Sequence, residues 1–243
     1  MSLIVFTDLD DTLFSSPRNC VGDKSNVATL SIDGKSYSFF SKKQKAFIDN
    51  LNAMNIIPVT GRRSDSLKRV KIYFKSYKIV SHGALILDEK DKIIPEWDVS
   101  QNEFIKRGNW VEIMKYVHSL ADEIAFRKNL NLRIRLIFDL RIPCYVCIKG
   151  SEEYILRFKD ELKSCCSDMN LSIHINSRNM AILPPYASKR NAVRFLKEKL
   201  LLDSQSLCFI GIGDSISDLG FMSECDYQIF PTSSQIGRQY GSA

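Results

Sequence analysis

The chain has 243 residues, 44% of them apolar, and a formal net charge of +6. This length and apolar content suit one large domain, or a core domain with a smaller companion, and exclude a disordered tail or a fibre. No apolar stretch approaches the roughly 20 residues that span a bilayer, and Lys and Arg are scattered among acidic neighbours without a basic block, so neither a membrane nor nucleic acid is the expected partner.

The first residues lack the basic start and apolar length of a signal peptide, so a cytoplasmic location is expected. Seven cysteines, an odd count without a framework, read as free thiols in a reducing compartment. Cys144 and Cys147 have CxxC spacing, but no second pair follows and the segment reads as strand, so a packing role is expected.

Leu3 to Phe6 is an apolar run that stops at carboxylates, as a central parallel strand does at its carboxyl edge, where open α/β sheets bind ligands. A polar excursion over 14–41 follows. Within it Asp33-Gly34 separates two alternating runs and predicts a hairpin. Ser41 is the expected N-cap of a helix with Ala46, Phe47, Leu51 and Met54 on one face. A strand over Ile56–Val59 ends at Thr60-Gly61-Arg62, a helix begins near Ser64, and a strand occupies Lys78–Ser81. This alternation predicts a parallel sheet with right-handed crossovers.

Beyond Gly83 the alternation breaks. A short strand near Ile93, a long helix over 103–126, strands over 132–138 and 142–148, a helix over 152–165 and strands over 171–175 and 179–183 predict an antiparallel sheet backed by two helices. The alternation resumes with a helix over Lys189–Leu201, a strand over Leu207–Ile210 ending in Gly211-Ile212-Gly213-Asp214, a further helix and a strand near Tyr227. The expected fold class is therefore α/β, a Rossmann-like doubly wound parallel core over 1–85 and 180–243 interrupted by an α+β unit over 86–179.

Asp8 and Asp10 stand two residues apart at a strand end. Like charges so crowded repel, and a divalent cation is the usual means of holding them ionised together. Thr60 offers a hydroxyl, and the Gly61 turn its amides, to phosphate oxygens. Lys189 places a cation at a helix start, and Asp214 and Asp218 flank a turn with hard oxygen donors suited to Mg²⁺. Each has a plain alternative, with Thr60 a cap, Lys189 a surface charge and Asp214 an N-cap; their coincidence at one sheet edge favours the chemical reading.

The ordered segments Asp8–Thr12, Val59-Thr60-Gly61-Arg62, Ser188-Lys189 and Gly213–Asp218 resemble the four motifs of haloacid dehalogenase superfamily phosphatases. The insertion after the third strand, entered through Ser81-His82-Gly83-Ala84, is similar to the class with the larger α+β cap, which includes Cof-type and sucrose-phosphate phosphatases. The resemblance implies a Mg²⁺-dependent phosphomonoesterase for a small phosphorylated metabolite, such as a sugar phosphate. Asp8 would be the nucleophile, forming an aspartyl-phosphate, and Asp10 the general acid and base. Thr60, Gly61 and Lys189 would bind the phosphoryl group, and Asp8, Asp10 through its carbonyl, Asp214 and Asp218 would serve the metal. His82, where Asn is common in the family, is either a candidate substrate contact or a structural histidine.

Specificity is expected on the inner face of a cap that closes over the site. There Arg133 and Arg135 share a strand face, either as contacts to an anionic or hydroxyl group or as a solvated face. Trp97 and Trp110 are expected in the core. A phosphomutase of the same superfamily and a non-catalytic binding module are the alternative readings.

Overall fold

The computed structural model describes residues 2–16, 19–20, 24–51, 54–204 and 206–240. It divides into two compact units, Met1–Ile94 with Lys189–Ala243, and Pro95–Ser188. The first begins with β1 (Ser2–Thr7), β2 (Val27–Leu30), β3 (Ser36–Phe39), α1 (Lys42–Leu51), β4 (Asn55–Pro58), α2 (Ser64–Leu67), β5 (Lys78–Val80) and β6 (Leu85–Leu87). The second holds α3 (Pro95–Arg107), α4 (Trp110–Arg127), β7 (Arg133–Asp139), β8 (Ile142–Lys149), α5 (Glu152–Asp168), β9 (Ser172–Asn176) and β10 (Asn179–Leu183). The chain then returns to the first unit with α6 (Lys189–Asp203), β11 (Leu207–Ile212), α7 (Leu219–Met222), β12 (Tyr227–Ile229) and α8 (Gln235–Tyr240).

Both crossings lie nine residues later than expected, at 94 against 85 and at 188 against 179. Strand pairing is the reason. β6 folds back antiparallel on β5 and so stays with the first unit, whereas β10 is hydrogen-bonded between β8 and β9 in the second.

In the first unit, four parallel strands lie in the order β12-β11-β1-β4. A parallel bridge between Val59 and Ile79 adds β5 beyond β4. From β1 the chain winds outward to β4 and β5 and later restarts on the opposite side with β11 and β12. The winding therefore reverses between β1 and β11, and the carboxyl ends at such a reversal form a crevice. β1 is paired on both sides, with Ile4, Val5 and Phe6 in the core and Phe6 stacked on Phe209 at 6.0 Å between ring centres. An apolar run suits a strand covered on both faces.

The expected hairpin forms from β2 and β3, whose loop closes when Ser31 N–H donates to the Lys35 carbonyl at 2.8 Å. At α1, Ser41 and Gln44 make a reciprocal cap, Gln44 N–H to Ser41 Oγ at 3.2 Å and Ser41 N–H to Gln44 Oε1 at 3.0 Å. The inward residues of α1 are Ile48 and Leu51, while Ala46 and Phe47, expected inside, are exposed. Three consecutive apolar residues at 46–48 leave the rotation of the helix undecided until its neighbours are in place.

The second unit is an antiparallel sheet in the order β7-β8-β10-β9, with α4 and α5 packed on one face over buried Val146, Ile148, Met180 and Ile182. The single helix expected over 103–126 is two, α3 and α4, separated at Gly108-Asn109, where Asn109 is left-handed at φ 50°. Trp97 and Trp110 are buried, Trp110 lying against Phe104 and Tyr186. Cys144 points into this core while Cys147 lies on the opposite strand face, so the CxxC spacing builds no joint site. Among the described residues no helix is long and apolar enough to cross a membrane.

Candidate active site

Backbone hydrogen bonds continue the sheet one step past its strands and thereby set the loops at the carboxyl edge. Asp8 N–H donates to the Ile212 carbonyl at 2.8 Å, Val59 N–H to Thr7 at 2.7 Å, Thr60 N–H to Ile79 at 3.0 Å and Gly213 N–H to Ile229 at 3.2 Å. These bonds bring the ends of β1, β4 and β11 together. After Asp8 the chain makes a tight turn, with Leu13 N–H returning to the Leu9 carbonyl at 2.9 Å and Asp11 left-handed at φ 60°. Asp tolerates that conformation better than most residues. After Gly213 the turn 215–218 packs so closely that a Cβ on Gly213 would stand 2.6 Å from that of Asp218. Glycine is required there for lack of space.

Asp8, Asp214 and Asp218 each offer a carboxylate oxygen within 4.8 Å of the others. Lys189, opening α6, donates from Nζ to Asp8 Oδ1 and to Asp218 Oδ1, both at 2.7 Å. The Thr12 hydroxyl lies 3.2 Å from Asp8 Oδ2 and 3.1 Å from Asp214 Oδ1. Asp218 is also held by Ser215, through Oγ at 2.6 Å and N–H at 3.1 Å. On the far side, Ile236 N–H of α8 donates to the Asp214 carbonyl at 3.1 Å and anchors the Asp214 loop.

Burial raises Asp8 well above the ordinary carboxylate range; Lys189 opposes this, and Asp218 and Asp214 add to it. Burial and Asp218 push Asp214 up to about 7, against the Thr12 hydroxyl, which lowers it. For Asp218 burial acts upward too, but Lys189 and Ser215 outweigh it and hold the group below its usual value. Burial works against the charge of Lys189, yet Asp218 and Asp8 raise it above an ordinary lysine. Lys189 and Asp218 thus form an ionised pair, and Asp8 and Asp214 are the strained members. Three carboxylates against one ammonium leave two negative charges when all are ionised, and this hard-oxygen set suits a divalent cation such as Mg²⁺.

Asp10 turns elsewhere. Its two oxygens accept from Arg62 Nε and Nη2, both at 2.7 Å. Its carboxylate is therefore outside the cluster, and its carbonyl is the atom expected to serve a metal. Thr60 is buried, and its Oγ1 accepts from Arg62 N–H at 3.1 Å. The Thr60-Gly61-Arg62 turn is clamped by the 81–83 turn, where Ser81 N–H donates to the Arg62 carbonyl at 2.8 Å and His82 N–H to the Thr60 carbonyl at 3.0 Å. Ser81, His82 and Gly83 all have positive φ, and this left-handed run sets the His82 imidazole over Gly61, where a Cβ would fall 2.5 Å from its Cε1.

The structure thus brings Asp8, Lys189, Asp214 and Asp218 together, with Asp10, Thr60, Gly61 and His82 on the adjoining loops of the same unit. Arg133 and Arg135 belong to the second unit, exposed on the sheet face opposite α4 and α5, beside Cys147 and Lys149 on β8. Three contributors are not evident from sequence patterns, namely Thr12, Arg62 and Ser215. Thr12 and Arg62 stand inside the first two motifs, and their polar character next to Asp8 and Thr60 is the available signal. Ser215 is visible only as a Ser three residues before an Asp, the spacing of a capping box.

No protein-family model matches the chain, and a search of curated proteins finds no match. Solved structures do match. The C-terminal domain of trehalose-6-phosphate phosphatase from C. albicans superposes with a TM-score of 0.58 at 13% identity, covering 92% of this chain and 73% of that one. A trehalose-6-phosphate phosphatase related protein gives 0.55 at 14% identity, covering 93% and 85%. The sucrose-phosphatase of Synechocystis sp. PCC6803, solved with sucrose and phosphate, gives 0.54 at 15% identity, covering 100% and 97%. The chain therefore has the haloacid dehalogenase-like fold, a doubly wound α/β core interrupted by an α+β unit.

Proposed function

We propose that this protein is a Mg²⁺-dependent phosphomonoesterase that hydrolyses a small organic phosphate, a sugar phosphate by preference, through an aspartyl-phosphate on Asp8. The observation that carries the reading is the cluster itself, in which three carboxylates lie within 4.8 Å of one another with Lys189 2.7 Å from two of them at the carboxyl edge of the sheet. The solved structures of similar fold support the substrate class, since their names specify trehalose-6-phosphate and sucrose phosphatases.

Asp8 and Asp214, with the Asp10 carbonyl, would hold Mg²⁺, which supplies positive charge against the phosphate and the nucleophile. Lys189 and Thr12 hold the two oxygens of Asp8, so the nucleophile has a set direction before substrate arrives. An Asp8 oxygen attacks phosphorus as the bond to the leaving alcohol breaks, and Asp10 gives that alcohol its proton. Asp10 then takes a proton from the water that attacks phosphorus and releases Asp8. Thr60 Oγ1, the Gly61 turn and Lys189 Nζ bind the phosphoryl oxygens. Asp218, whose oxygens are occupied by Lys189 and Ser215, serves to place Lys189.

The test is phosphate release over a panel of sugar phosphates, nucleotides and phosphorylated acids, with and without Mg²⁺. We expect Mg²⁺-dependent release by the wild type and loss of turnover in Asp8→Asn and Asp10→Asn. Unaltered turnover in either variant would refute the roles assigned to these two aspartates, and transfer without release of inorganic phosphate would indicate a mutase.

A further inference from the structure

We infer that Arg62 is a positioning residue for Asp10, a buried guanidinium fork that aims the proton-transferring carboxylate; this rests on the function proposed above. Asp10 by itself would be a mobile side chain, since 46% of it is exposed, whereas the Arg62 side chain is only 12% exposed. An ordinary surface ion pair contributes little because both partners are loose. In this pair one partner is fixed. The guanidinium lies 5.3 Å from the centre of the Phe14 ring, and its Nη1 reaches Ser66 Oγ at 3.4 Å. The backbone of Arg62 is held at both ends, its N–H by Thr60 Oγ1 at 3.1 Å and its carbonyl by Ser81 N–H at 2.8 Å. Two parallel 2.7 Å bonds from a planar fork then fix the plane as well as the position of the Asp10 carboxylate.

The arrangement joins the loop that ends β1 to the turn that ends β4. The turn that presents Thr60 and Gly61 to phosphate is the one that directs Asp10, so the proton donor and the phosphate site share one frame. For the first half-reaction Asp10 enters protonated, one oxygen keeping its bond from Arg62 while the other carries the hydrogen to the bridging oxygen as the phosphorus bond to that oxygen breaks and the bond to Asp8 forms. The carboxylate so produced takes back both bonds of the fork. The efficiency of this proton transfer depends on aim, and aim is what Arg62 supplies.

The experiment uses the full-length protein with Mg²⁺ and a series of substituted phenyl phosphates whose leaving phenols range from good to poor. The quantity read is kcat/KM, which ends at the first irreversible step, loss of the phenol. Misaiming the acid penalises poor leaving groups and spares good ones. In Arg62→Gln we expect unsubstituted phenyl phosphate to fall by ~10²-fold and 4-nitrophenyl phosphate by less than ~10-fold, a steeper leaving-group slope that approaches that of Asp10→Asn. Arg62→Lys keeps the charge without the fork and should also be steeper than wild type, which gives a second variant if Arg62→Gln fails to fold. A parallel fall for all substrates, or a wild-type slope in Arg62→Lys, overturns the inference while leaving the phosphatase intact. A wild type that hydrolyses none of the phosphates in this series or in the metabolite panel overturns both.

Discussion

Replacing Lys189 with Met removes the only cation within 2.7 Å of Asp8 and Asp218 among the contacts of the described residues. At 2.7 Å and an effective dielectric of about 20, each contact carries about 6 kcal/mol of Coulomb attraction, a gross figure that desolvation largely offsets. What the variant suffers is the stranding of buried carboxylates, for which the loss of one partner costs ~3–5 kcal/mol. In a chain this long that corresponds to a fall in melting temperature of ~6–20 °C. The sign with pH follows from the shifts. Lys189 is raised, so its stabilisation is present below the ordinary lysine value and lost only as pH rises beyond it; Asp218 is lowered, so its stabilisation is present above the ordinary carboxylate value and lost as pH falls through its folded one. Between those limits the wild type keeps the pair, while Lys189→Met can relieve the stranded groups only by protonating them. The deficit should therefore be largest near about pH 8 and shrink toward about pH 5. Thermal unfolding followed by circular dichroism across that range measures it. A variant as stable as wild type at the upper end, or a deficit equal at both ends, would refute the assignment of Lys189 as the counter-ion of the cluster.

Mg²⁺ should raise the melting temperature of the wild type more at about pH 8 than at about pH 5.5, because Asp214, pushed up to about 7 by burial and Asp218, must lose its proton to accept a cation; equal shifts would contradict this. Asp214→Asn should weaken Mg²⁺ binding in calorimetric titration by at least ~10-fold. The same variant should stabilise the metal-free protein at about pH 8 by ~1 kcal/mol or more, since a carboxyl raised in the folded state opposes folding once it is ionised. Gly61→Ala should cost ~1–3 kcal/mol through the collision of its Cβ with His82, and adding His82→Ala should recover most of that loss in a double-mutant cycle of denaturant unfolding.

Local chemistry along the chain sufficed for most of the element order, though not for β6, for α8 or for the division of α3 from α4. The apolar run Leu3–Phe6, the Asp33-Gly34 turn and the Ser41 cap each act within a few residues, and each appears where its pattern placed it. The same holds for which residues carry the chemistry, because Asp8, Thr60, Lys189 and Asp214 all stand where an element begins or has just ended. Tertiary structure decided what those side chains touch. The pairing of Asp8 with Lys189 spans 181 residues, Thr12 with Asp214 spans 202 and Asp10 with Arg62 spans 52, and no periodic pattern encodes a contact at such separations. The rotation of α1, the break between α3 and α4 and the unit boundaries near 94 and 188 were settled in the same way. Apolar residues in one chain segment have several nearly equivalent ways to be buried, and only the neighbouring strands and helices, through hydrogen-bond register and the space left to fill, select one of them.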